Sequence, residues 1–173
     1  MRYTFIAQER DNYCVSACLQ MILLKRELAY QNQPQIHNEL KGNAEGVALN
    51  GKSLENFIRS NNYFLHCLEL PVRYSQLKEF EELVKQGLDK ECDILVGVAY
   101  EQLTSTTKEI NHAILIEEYN SHSNEVSLID PARELGIKCP FSTLIRSLFI
   151  SNNAFYFFHS DNETLKRIKE KYF

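Results

Sequence analysis

The stretch CVSACLQMILLKR, residues 14–26, carries Val15, Ala17, Leu19, Met21, Ile22, Leu23 and Leu24 with almost no polar relief. That pattern reads as a helix buried over most of its circumference, the core on which the rest of the chain must pack. Asp11 and Asn12 stand just before it. Either side chain can cap the free backbone N–H groups, which places Cys14 in the first turn.

Downstream, PQIHNELK (34–41) reads as a short helix opened by Pro34, and KGNAEGVALNGK as a loop with Gly42, Gly46 and Gly51 supplying turns. Ser53 then caps LENFIRSNN, with Leu54, Phe57 and Ile58 on one face. Residues 63–70 read as a strand ended by Pro71, and 75–87 as an amphipathic helix terminated by Gly87. ILVGVAY (94–100) is a buried-strand run followed by the polar loop EQLTSTTKEIN. HAILIEEY (112–119) and EVSLID (125–130), joined by NSHSN, predict an antiparallel pair. Pro140 opens a helix over FSTLIRSLF, NAFYFFH (153–159) predicts another strand, and the charged tail starts a helix with a capping-box-like Asn162. Helices first and an antiparallel sheet second give an α+β fold, in one domain over residues 1–173.

Composition narrows the class of function. The 173 residues are 44% hydrophobic and 24% charged, values of an ordinary globular chain. A net charge of -4 with no basic block leaves no footprint for a polyanion, so nucleic acid is not an expected partner. No apolar run is long enough to span a bilayer, and MRYTFIAQER lacks the apolar centre of a secretory signal. A cytoplasmic protein without membrane insertion is the expectation, with signal-free secretion left open. Five cysteines, at 14, 18, 67, 92 and 139, cannot all pair, and none forms a CxxC pair. Reduced thiols fit best, and no metal or cofactor is expected.

Free cysteine usually packs as a small hydrophobe, which is the reading for Cys18, Cys67, Cys92 and Cys139. Cys14 differs by position. At a helix start, unpaired N–H groups and the aligned dipole favour the thiolate, so core filler and nucleophile are both open for it. His112 begins a strand after the longest polar loop, at the rim of the sheet, where an imidazole can face solvent and a partner thiol instead of the core. Asp130 closes the neighbouring strand before Pro131, and a hairpin would bring it within reach of His112. Gln8, six residues before Cys14, is placed to donate an amide hydrogen bond to an oxyanion beside the Cys14 N–H.

The stretch Gln8-x5-Cys14-x2-Ala17-Cys18-Leu19-x-Met21-Ile22 resembles the N-terminal motif of the C39 peptidases, papain-like cysteine peptidases that cut double-glycine leaders from peptide precursors. Asn111-His112-Ala113 and Leu128-Ile129-Asp130-Pro131 resemble that family's histidine strand and Asp-Pro segment. The resemblance covers roughly residues 5–158. It implies a papain-like fold with N-terminal helices packed on an antiparallel sheet, Cys14 as nucleophile, His112 as base and then acid, Asp130 as orienter and Gln8 as oxyanion donor. It also implies a peptide or protein substrate and no cofactor. Family members usually carry Asp before the nucleophile and Gly after it, where this chain has Tyr13 and Val15. They often form the front domain of an exporter, and no association of that kind is read from this sequence. Papain-like sites that deamidate or transamidate a protein side chain, and C39-like modules that bind peptides without turnover, are the alternative readings.

Overall fold

The computed structural model describes residues 2–72, 77–107, 109–151 and 154–171. Three helices come first: α1 (Cys14–Lys25), α2 (Gln33–Glu39) and α3 (Gly51–Ser60). Then follow β1 (His66–Pro71), α4 (Leu77–Asp89), β2 (Asp93–Ala99), a short 3₁₀ turn (Tyr100–Gln102) and β3 (Asn111–Asn120). The chain continues through β4 (Glu125–Asp130), β5 (Arg133–Pro140), α5 (Phe141–Ile150), β6 (Ala154–His159) and α6 (Asn162–Glu170). The strands form one antiparallel sheet in the order β1-β6-β2-β3-β4-β5. The α+β expectation holds, with α4 and α5 lying between strands where the patterns at 75–87 and after Pro140 predict helices.

The two apolar runs explain the layering. A strand buried on one face alternates, whereas ILVGVA and AFYFF are apolar throughout and must be covered on both faces. Ile94, Val96, Val98, Phe155 and Phe157 pack into one core with Phe80, Leu83 and Val84 of α4, Leu144, Ile145 and Leu148 of α5, and Leu165 and Ile168 of α6. Leu95, Ala113, Leu115, Tyr156 and Phe158 pack into the other, beneath Cys18, Leu19, Met21 and Ile22 of α1 and Leu54, Phe57 and Ile58 of α3. Gly87 does not end α4. It lies where a Cβ would come within 2.6 Å of the Phe157 ring, so glycine is what lets the helix sit down on the sheet.

Several local expectations are corrected. Neither Asp11 nor Asn12 caps α1; its N-cap is Tyr13, with no side-chain cap bond. Asn12 is used elsewhere, its Nδ2 donating to the Asn43 carbonyl at 2.8 Å. Asn50, not Ser53, caps α3, accepting from Ser53 N–H at 2.8 Å, so the helix already begins at Gly51. Asp161, not Asn162, caps α6. The first strand begins at His66 instead of Tyr63. The sequence pattern predicts no strand at 133–140, where β5 forms the sheet edge. Ser75 and Asn153, the expected starts of α4 and β6, lie outside the described residues.

Candidate active site

Cys14 opens α1, where the first N–H groups have no intrahelical carbonyl to bond. The residue is 9% exposed and its thiol lies against His112, with the backbone N–H groups of Ala113 and Val15 also directed at the sulfur. Burial alone would push this thiol up. The hydrogen bond with His112, the charge on that imidazole and the two N–H groups outweigh it and hold Cys14 below the ordinary thiol value. One turn on, Cys18 is fully buried, bonds the Ala113 carbonyl at 3.5 Å and is pushed well up by burial. Ala113 therefore faces both thiols, serving one with its N–H and the other with its C=O.

His112 and Asp130 are brought together by strand register. Leu115 pairs with Ile129 in the β3–β4 ladder, so Asp130 falls diagonally across from His112 on one face. Their side chains meet at 2.7 Å, from His112 Nε2 to Asp130 Oδ1, which leaves Nδ1 for the sulfur. Asp130 is completely buried, and its other partners are the Ala132 N–H at 2.9 Å and the Tyr100 hydroxyl at 2.6 Å. Burial would raise this carboxyl, but His112, Tyr100 and Ala132 together hold it below the usual value. Burial would lower His112, yet Asp130 first and Cys14 second push it up to about 9. The arrangement favours a thiolate beside an imidazolium beside a carboxylate. The rim position predicts a ring that faces solvent as well as a thiol, but the ring is only 5% exposed because Tyr100 covers it, with centroids 4.6 Å apart.

Gln8 is anchored beside Asp130 through its backbone. Its N–H donates to the Pro131 carbonyl at 2.9 Å, next to Asp130. Buried Gln33 holds the residues on either side, donating to the Ala7 carbonyl at 2.7 Å and accepting from the Glu9 N–H at 2.8 Å. The Gln8 Nε2 makes one long bond, 3.3 Å to the Asp11 carbonyl, and Oε1 is buried without a protein partner. Gln33 gave no signal in the sequence, since a glutamine at a helix start reads as solvated.

A groove of about 320 Å³ opens on Cys14 and His112. Asn43 and residues 45–49 line it together with Asn111, Gly97 and Ala113 of the sheet. Residues 43–46 form a built turn. Asn43 and Gly46 exchange backbone hydrogen bonds at 2.9 and 3.1 Å, Gly46 holds φ at +120°, and Asn12 ties the turn to the front of α1. Among the described residues, no cluster of three or more His, Cys, Asp or Glu side chains is placed to hold a metal ion. No described helix is long and apolar enough to cross a membrane.

An unforeseen polar centre fixes the far end of α1. Asp93, fully buried at the start of β2, accepts from Lys25, Arg26 and the Tyr3 hydroxyl, each at 2.6 Å. Helix, first strand of the central pair and N-terminal segment are thereby locked together, which sets the height of Cys14 over the sheet.

Comparison with solved structures gives the same architecture. The peptidase domain of Streptococcus ComA, a bifunctional ABC transporter of a quorum-sensing pathway, superposes with a TM-score of 0.62 at 13% identity, covering 91% of this chain and 98% of that one. A double glycine motif protease from an AMS/PCAT transporter, solved in complex with the leader peptide, superposes at 0.62 with 17% identity, covering 91% of each chain. A structure described as a C39-like peptidase from Bacillus anthracis reaches 0.65 at 14% identity, covering 91% and 94%. At these identities the likeness carries the fold, a papain-like arrangement of helices on an antiparallel sheet. No curated protein matches the chain in sequence. The sequence model of the Peptidase_C39 like family matches residues 1–144, and the chain belongs to that family.

Proposed function

We propose that the protein is a cysteine peptidase in which Cys14 is the nucleophile, His112 the base and then the acid, Asp130 the orienter of the imidazole and Gln8 an oxyanion donor. The observation that carries this reading is the continuous contact from Cys14 through His112 to Asp130, at the floor of an open groove. Cys14 Sγ attacks a peptide carbonyl carbon, forming the S–C bond while the carbonyl oxygen takes the charge. The Cys14 N–H and the Gln8 amide, released from its long bond to Asp11, donate to that oxygen. His112 passes its proton to the amine as the C–N bond breaks, leaving a thioester. It then takes a proton from water, whose oxygen displaces the sulfur and restores the thiolate–imidazolium pair. Asp130 keeps Nε2 engaged throughout, so Nδ1 is the nitrogen that faces the chemistry.

The substrate on this reading is a peptide segment lying in the groove that Asn43, residues 45–49 and Asn111 line. One structural neighbour is a double glycine motif protease bound to a leader peptide, which makes leader peptides with a Gly-Gly site the first to assay. Mass spectrometry of such peptides after incubation should give two fragments whose masses sum to the parent plus one water, and none with Cys14→Ala. A product heavier by about one mass unit would mean side-chain deamidation at the same site instead. An unaltered peptide that nevertheless binds would identify a module without turnover.

A further inference from the structure

Tyr100 stands outside the residues that the sequence pattern singled out, yet it touches two of them. Its backbone is pinned on both sides: the N–H donates to the Ile110 carbonyl at 2.9 Å, and its carbonyl accepts from the N–H groups of Leu103 and Thr104 at 3.0 and 3.1 Å and from the Thr104 hydroxyl at 3.1 Å. The ring is thus aimed by the turn that follows β2. Its face lies against the His112 imidazole, centroids 4.6 Å apart at 52°, and its hydroxyl donates to Asp130 Oδ2 at 2.6 Å.

The two Asp130 oxygens divide their partners. Oδ1 serves His112 and the Ala132 N–H, while Oδ2 serves Tyr100. With both engaged, the carboxylate cannot swing without breaking a bond, so Oδ1 stays aimed at Nε2. A short hydrogen bond from a phenol also draws charge out of a carboxylate, which weakens its hold on the imidazolium proton.

We propose that Tyr100 is a positioning residue, which fixes the Asp130 carboxylate and tempers its charge so that His112 can give up its proton to the leaving amine. The inference rests on the catalytic reading of Cys14, His112 and Asp130. General acids work best when their pKa lies near the working pH, and an imidazolium held too tightly donates poorly. The titratable groups around this centre are Cys14 and Cys18 from α1, Asp130 from β4, Arg133 from β5, and Tyr100 itself. Arg133 also hydrogen-bonds the phenol, while burial and then Asp130 push Tyr100 up to about 12, so the hydroxyl keeps its proton and acts only as donor to the carboxylate.

The test follows the His112 imidazole by NMR across pH in the full chain, alongside iodoacetamide alkylation of Cys14. Tyr100→Phe keeps the ring and deletes the donor, and should move the His112 midpoint up by ~0.5 unit or more. Replacing Tyr100 by 3-fluorotyrosine makes a stronger donor without altering the packing, and should move the midpoint down. Opposite shifts support the role, since packing alone would move neither. A midpoint unchanged in the fluorinated protein, or one that falls in the phenylalanine variant, overturns it. The parent reading fails separately, if Cys14 of the unsubstituted protein alkylates with an ordinary thiol midpoint near ~8.5.

Discussion

Replacing Asp130 by Asn removes one negative charge from a site that is fully buried and accepts three hydrogen bonds. His112 is held at about 9 against an ordinary 6.5, a gap of roughly 2.5 units. At about 1.4 kcal/mol per unit this amounts to about 3 kcal/mol of preference for the imidazolium, supplied by Asp130 first and Cys14 second. The amide would lose the hydrogen bond between charged partners, a contact worth about 1.5–3 kcal/mol. Because the imidazolium favours the Cys14 thiolate, the thiol should titrate higher. Iodoacetamide alkylation at pH 7, mapped to Cys14 by mass spectrometry, should then slow by about tenfold to a hundredfold. An Asp130→Asn rate profile that superimposes on the unsubstituted one would refute the reasoning, because the carboxylate would then play no part in setting the thiol.

Gln8→Ala separates thiol activation from oxyanion stabilisation: alkylation of Cys14 should be unchanged while kcat/KM on a cleaved peptide falls about a hundredfold or more. Asp93→Ala strands Lys25, Arg26 and the Tyr3 hydroxyl around an empty site and should cost about 3–5 kcal/mol, lowering the midpoint of thermal unfolding by roughly 6–20 °C. Acid should also destabilise the fold through Asp130. Its carboxyl is held below the usual 3.8, so the folded state binds fewer protons than the unfolded one, and stability present above about pH 4 is lost as pH falls through the folded value. Denaturant unfolding at pH 6 and pH 3 should show that loss in the unsubstituted protein, and Asp130→Asn should flatten it.

Much of this arrangement could be read from residue order because it depends on local pattern. The apolar run behind Cys14 is the face that α1 buries, and the two all-apolar strand runs became the strands covered on both sides. Polar side chains with remote partners were harder to read. Asn12 looked like a helix cap because nothing local said that Asn43 would claim it. Asp93 stands just before the apolar run 94–100 and has no local pattern of its own, although it gathers two cations from α1 and a hydroxyl from the N-terminal segment. β5 was missed because RELGIKCP is an edge strand with mostly exposed residues, so its pairing with β4 leaves little apolar alternation. Tyr100 read as the last residue of a strand, and only the tertiary structure turns its ring onto His112. Spacing put Gln8 near Cys14, but not the direction of its amide, which is set by Gln33, Asp11 and Pro131.

The most direct measurement is the rate of Cys14 carboxamidomethylation across pH, in the unsubstituted protein and in His112→Ala. The account predicts a midpoint well under ~8.5 that is lost when the imidazole is removed. A Cys14 that reacts only above that value, or that reacts equally with and without His112, would contradict it.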